Sequence, residues 1–146
     1  DTLGTKTTVY DASIFIEQAD AASFADNEEI TLMDWGNVIV RSKTVGADGA
    51  VTGLALEAHF DGDFKATKKK VTWLAQPNES RHLTPVLLLD FDYLITKKKL
   101  EEDDKFTDFL TPQTEFDTEA LADANVATLR EGETVVYGPM SLEAAE

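Results

Sequence analysis

Four lysines, Lys65, Lys68, Lys69 and Lys70, fall within six residues in the run Gly62-Asp63-Phe64-Lys65-Ala66-Thr67-Lys68-Lys69-Lys70-Val71-Thr72-Trp73. The chemistry such a block offers is binding: ammonium groups contact phosphates and position a polyanion without reading its sequence. The chain around it carries 28 acidic against 13 basic residues, a formal net charge of −15. A positive block on that background marks a face with a task the rest of the surface does not share. The cations are segregated, since Arg41, Lys43, the four lysines above and Lys97, Lys98 and Lys99 make nine of the thirteen. Without segregation the long-range field would repel nucleic acid. A plainer reading stays open: lysines on edge strands that keep sheets from adding to one another.

No residues are arranged for catalysis. The two histidines, His59 and His82, lie in different segments, and there is no cysteine to join them. His59-Phe60-Asp61-Gly62-Asp63 offers metal-ligand types, but the rest of a calcium loop is absent and an aspartate-rich turn is the simpler account. Gly-x-Ser-x-Gly, a phosphate-cradling glycine loop and His-Glu-x-x-His are all missing. Adjacent carboxylates on strands point to opposite faces and make no acid/base pair. The sequence calls for no catalytic residue, no metal ligand and no cofactor. Trp35 and Trp73 sit near basic segments, where exposed rings could stack on unpaired bases. Each follows an apolar neighbour two residues back, Met33 and Val71, which favours the core.

The elements that would position these groups are mostly short strands. Residues 8–18 alternate, with Ile14 and Ile16 set against Phe15 and Glu17. Strands are expected at 29–33, 37–44, 51–60, 70–74, 84–91, 126–129 and 134–137. In 37–44, Val38 and Val40 face one way, Ile39 and Arg41 the other. Asp48-Gly49 suits a hairpin turn, and 61–63 and 131–133 make two more turns. Residues 84–91, rich in leucine and valine, predict a strand buried on both faces, so Trp73, Leu87, Leu89, Phe91 and Ile95 are expected in the core. Helix is confined to short turns in 20–24, 97–109 and the alanine-rich 118–124. Strands every 8 to 12 residues or so argue for a barrel or sandwich.

Composition agrees. At 146 residues, with 42% hydrophobic and 28% charged, the chain fits one globular domain with a real core. The lack of cysteine excludes disulfides and thiolate metal sites and is compatible with a reducing compartment. No apolar run approaches the roughly 20 residues that span a bilayer. Asp1-Thr2-Leu3-Gly4-Thr5 lacks the charged-then-apolar layout of a signal peptide.

Several segments together carry a resemblance. The lysine run, Leu32-Met33-Asp34-Trp35-Gly36-Asn37, Phe15-Ile16-Glu17-Gln18-Ala19-Asp20-Ala21, Asp90-Phe91-Asp92-Tyr93-Leu94-Ile95-Thr96-Lys97-Lys98-Lys99 and Phe109-Leu110-Thr111-Pro112-Gln113-Thr114-Glu115-Phe116 resemble the C-terminal anticodon-binding domain of eukaryotic, fungal-type cytoplasmic glutamyl-tRNA synthetase. The likeness covers most of residues 6–132. It implies one all-β domain over residues 1–146, built as two small β-barrels with few short helices. It also implies a tRNA-binding role, gripping the anticodon arm of a glutamate-specific tRNA in the cytoplasm, away from any membrane. By the same resemblance Arg41 and Lys43 lie on a strand that bears basic residues near the anticodon loop. Lys65, Lys68, Lys69 and Lys70 match the family pattern Gly-Asp-Phe-Lys-x-Thr-Lys-Lys-Lys. All six are then RNA-binding residues.

The family's catalytic signatures, His-Ile-Gly-His-type and Lys-Met-Ser-Lys-Ser-type, are not in this sequence, so ligation would need a separate catalytic domain. Two departures accompany the likeness. Val135-Val136-Tyr137-Gly138-Pro139-Met140-Ser141 stands where the family closes with Gln-Phe-Glu-Arg-x-Gly-Tyr, and the family's first strand, ahead of Lys6, is not recognisable. Those two strands share a barrel, so the expectation is open sheet edges or another closure. A trimmed piece of a synthetase, a divergent paralogue and a processed fragment with its own activity all fit. The rival functions are a repurposed barrel that binds protein or carbohydrate and a small hydrolytic or toxic effector.

Overall fold

The computed structural model describes residues 5–133 and the backbone of residues 141–143. In chain order the elements are β1 (Ile14–Phe15), α1 (Gln18–Ser23), β2 (Glu29–Leu32), β3 (Gly36–Val45), β4 (Val51–Ala58), β5 (Lys70–Val71), β6 (Leu74–Ala75), β7 (Thr84–Phe91), β8 (Glu115–Ala122) and β9 (Ser141–Glu143). Short 3₁₀ turns occupy Phe106–Phe109 and Ala124–Thr128. The all-β reading with few short helices is what the structure shows. The expected barrels are not closed by hydrogen bonds among the described residues. The strands form sheets of four (order β4-β3-β2-β5), three (β7-β8-β9) and two (β1-β6).

The four-stranded sheet carries the core. Ile30 and Leu32 of β2 and Val38 and Val40 of β3 alternate inward, as the period of two requires, and meet Val71, Trp73 and Phe24. Each large apolar side chain so buried contributes about 1.5–3 kcal/mol. The β2–β3 loop turns at Asp34, whose φ of 58° is the left-handed region that aspartate tolerates better than most residues. The β3–β4 hairpin turns at the predicted Asp48-Gly49, with Gly49 at φ 88° and Asp48 Oδ1 accepting from the Ala50 amide. α1 is a single short helix near the expected 20–24 and ends at Phe24, whose backbone is extended.

One bulge changes the geometry of β3. Val40 pairs with Leu56 and Ser42 with Ala55, leaving Arg41 without a partner on β4. Strict alternation would put Arg41 and Lys43 on one face. The extra residue shifts Lys43 opposite Leu54, onto the side that faces the core, while Arg41 stays outside with Glu57.

Two segments depart from expectation. Residues 118–122 are not helical: they end β8, which pairs with β7 over eight rungs from Thr84↔Ala122 to Phe91↔Glu115, and only Ala124, the last residue of the expected helix 118–124, enters a 3₁₀ turn. That ladder overrides the helical preference of alanine. Residues 126–129 are not a strand: 126–128 lie in the 3₁₀ turn at Ala124–Thr128, where Asp123 caps the Asn125 amide, and Leu129 is its C-cap. The predicted strand at 134–137 lies outside the described residues. The expected burial of β7 is also overturned. Trp73 is in the core, but Leu87, Leu89 and Phe91 are exposed and Ile95 is only half-buried. Beyond β7 and β8 the two strands stay paired through Asp92, Leu94 and Thr96, so they form one long ribbon whose apolar row is left exposed by the described residues.

Candidate nucleic-acid interface

The lysine run is held in place by a polar network under residues 59–70. Thr31 lies opposite Asn37 in the β2–β3 register. Its hydroxyl sits between Asn37 Oδ1 at 2.8 Å and the Thr67 hydroxyl at 2.5 Å. Asn37 Nδ2 donates to Glu29 Oε1 at 2.7 Å, and His59 Nδ1 lies 2.9 Å from the same oxygen. Thr31, Asn37 and Thr67 are buried, so these bonds replace water for groups that would otherwise be orphaned. Asn37 and His59, in that order, hold the Glu29 carboxyl below its ordinary range. Gly62 crosses directly over the network. A Cβ there would land on Glu29 Oε1 and come within 2.8 Å of Asn37 Nδ2. The segment then runs parallel to β2, with the Thr31 amide donating to Lys69 O and the Met33 amide to Val71 O.

The six candidate cations divide into two groups. Lys43 Nζ donates to the carbonyls of Ala22 and Phe24 at 2.9 Å each. Lys69 Nζ donates to Ser23 O at 2.6 Å and to Glu28 Oε2 at 2.8 Å, and lies over the Phe24 ring. Both therefore close the C-terminal end of α1, whose last turn carries no basic residue of its own. Arg41 pairs with Glu57 at 2.7 Å and donates to Asn27 Oδ1 at 2.8 Å. The Lys69 bond and then the Ala25 amide hold the Glu28 carboxyl below its usual range, and Arg41 does the same for Glu57. Arg41, Lys43 and Lys69 are thus committed to protein partners.

Lys65, Lys68 and Lys70 are exposed. Lys70 Nζ bonds back to Thr67 O. Lys68 makes no hydrogen bond or ion pair among the described residues, and Lys65 only leans over the Phe64 ring, its Nζ 6.0 Å from the centroid. The alternation expected of consecutive lysines holds here, with Lys68 and Lys70 exposed and Lys69 turned to the protein.

The tryptophans belong to packing. Trp73 is 3% exposed and its Nε1 donates to Met33 O at 2.8 Å. Trp35 is half-buried, its ring 4.6 Å from Trp73, 5.1 Å from Tyr10 and 6.0 Å from Phe60, centroid to centroid. The exposed rings beside the lysines are Phe60 and Phe64, at either side of Gly62. Sequence reasoning passed over both because phenylalanine is counted as core by default. Among the described residues no group of three or more histidine or acidic side chains could hold a metal.

This arrangement sets exposed cations on a strand scaffold. Residues 1–61 match the family of anticodon-binding domains of class I (E and Q) tRNA synthetases, and that part of the chain belongs to the family. It is 55% identical over 133 residues to a Schizosaccharomyces pombe protein named "Probable glutamate--tRNA ligase, cytoplasmic", covering 91% of this chain and 18% of that one. Identity to the cytoplasmic glutamate–tRNA ligase of Arabidopsis thaliana is 47% over 132 residues, 90% of this chain and 18% of the other. For the Saccharomyces cerevisiae enzyme of the same name it is 46% over 135 residues, 92% and 18%. The chain thus spans less than a fifth of the length of these relatives.

Proposed function

We propose that this chain binds the anticodon arm of a glutamate-specific tRNA and that Lys65, Lys68 and Lys70 make the phosphate contacts. Arg41, Lys43 and Lys69, expected from sequence to touch RNA, instead hold that surface in shape. The observation that carries the reading is the contrast within one run: Lys69 is spent inside the protein, while Lys65, leaning over the exposed Phe64 ring, and Lys68 stay at the surface of a loop anchored through Thr67. Ammonium groups supply position and salt-dependent affinity, and exposed rings offer stacking to unpaired bases. Ligation would be the work of a catalytic domain in a longer protein, as in the much longer relatives, and the place of action would be the cytoplasm.

The test is a titration of fluorescent tRNA at several salt concentrations. Wild-type protein is expected to bind at low salt, with the salt slope falling by about one unit for each phosphate contact removed. The Lys65→Glu, Lys68→Glu double variant should weaken binding at least as much as the Lys68→Glu, Lys70→Glu pair, and Lys69→Gln should act through stability alone. Wild-type protein without affinity for tRNA, or charge-reversed variants that bind equally well, would overturn the assignment.

A further inference from the structure

We propose that the exposed face of the β7–β8 ribbon docks a basic amphipathic helix from another polypeptide. The register sets Leu87, Leu89 and Phe91 of β7 directly opposite Glu119, Asp117 and Glu115 of β8, and cross-strand partners share a face. One face therefore carries two parallel rows, one apolar and one of three carboxylates. Leu87, Leu89 and Phe91 are 54%, 50% and 66% exposed, far more than a sheet face in a finished core. The three carboxylates are exposed and make no hydrogen bond or ion pair among the described residues.

The charge pattern selects the occupant. RNA is repelled by a row of carboxylates, so this face is not an extension of the lysine surface. A second copy would bring the same three carboxylates, on a chain of net charge −15, to the interface. A helix with an apolar stripe flanked by lysine or arginine satisfies both rows at once. Alternate residues on a strand are about 7 Å apart, so the rows run for about 13 Å, the length of about nine helical residues. A stripe at i, i+3, i+4 and i+7 covers about 10.5 Å of that distance and lies on leucine and phenylalanine while its basic flank meets the carboxylates.

The experiment uses this chain and two labelled synthetic helical peptides that share a leucine stripe at that spacing, one flanked by lysines and one by glutamates. Fluorescence anisotropy is expected to show the lysine peptide binding more tightly, with affinity falling as salt rises. Reversal of the exposed row (Glu115→Lys, Asp117→Lys, Glu119→Lys) should weaken the lysine peptide by about tenfold or more and invert the preference. Leu89→Ser should weaken both peptides. Because the reversed row is at the surface, those variants should retain the wild-type circular dichroism spectrum, and with a net charge less negative by six they should bind tRNA no more weakly than wild type. No binding of either peptide, indifference to charge reversal, or sedimentation showing self-association through this face would each sink the proposal.

Discussion

At the scale of the residue, the lysine run shows how a motif that looks functional is in large part structural. Gly62 is needed for what it lacks: a methyl group would occupy the space of the Glu29 carboxylate and crowd Asn37 and His59. Gly62→Ala is therefore expected to cost about 1–3 kcal/mol, the range for overpacking a filled site. Urea denaturation should show a lower midpoint at unchanged slope. An unchanged midpoint would mean that the network yields at no cost. Thr67 is buried and bonded to Thr31, and Lys69 is turned inward. Only Lys65, Lys68 and Lys70 were left to the surface, a division no spacing rule announces, because it depends on which strand the loop is laid against.

At the scale of the element, α1 is a helix of six residues with no side-chain N-cap bond and no basic residue in its last turn. Its C-terminal carbonyls are met from outside by Lys43 and Lys69, and Lys43 reaches them because the bulge at Arg41 turns it inward. Lys43→Met and Lys69→Met should each cost about 0.5–1.5 kcal/mol, as for a lost hydrogen bond. The double variant should fall short of the sum, because the two ammonium groups serve one helix end. Thermal unfolding of the four proteins checks both points; full additivity would show that the two caps act independently.

Legibility at this scale followed locality. Alternation identified β2, β3 and the return strand β4, and Asp48-Gly49 identified their hairpin. The bulge left no mark in the alternation of Val38, Ile39, Val40 and Arg41, so Arg41 and Lys43 read as neighbours on one face. In β7 the run Val86-Leu87-Leu88-Leu89 reads as doubly buried, since composition records how apolar a strand is and not whether a layer covers it. Alanines at 120 and 122 suggested helix, while their partner strand lay 30 or more residues away along the chain.

At the scale of the whole molecule, acid should loosen the fold. The carboxyls of Asp11, Glu28, Glu29, Glu57 and Asp104 all lie below their ordinary values in the folded protein. Their leading causes are the Ser13 amide, Lys69, Asn37, Arg41 and the Glu101 amide, respectively. A lowered folded pKa stabilises above the unfolded value of about 4 and loses that contribution as pH falls through the folded value. Opposing this, protonation relieves the self-repulsion of a chain at −15. Added salt screens the repulsion beyond about 10 Å but acts less on the close, partly buried pairs. Stability should thus be flat from neutral pH to about 5 and fall below that, more steeply in high salt than in low. Denaturation midpoints across a pH series at two salt concentrations decide it; rising stability in acid at high salt would contradict the assignment of these carboxyls.

The parallel pairing of β2 with β5 also fixes an order of assembly. β2, β3 and β4 are joined by short hairpin turns and can form among themselves, whereas β5 returns to β2 only after all three have been laid down. Long-range pairing of this kind carries a larger loop-closure cost and comes late. Until it happens, Ile30, Leu32, Val38 and Val40 lack the lid that Val71 and Trp73 provide, and a sheet with a bare apolar face and an open edge is the species most prone to aggregate. The residues that arrive just ahead of that lid are Lys65, Lys68, Lys69 and Lys70. A dense charge beside an unavoidable hydrophobic strand discourages sticking between half-made molecules. By that argument the same lysines would guard the chain while it folds, a task separate from anything the folded surface binds.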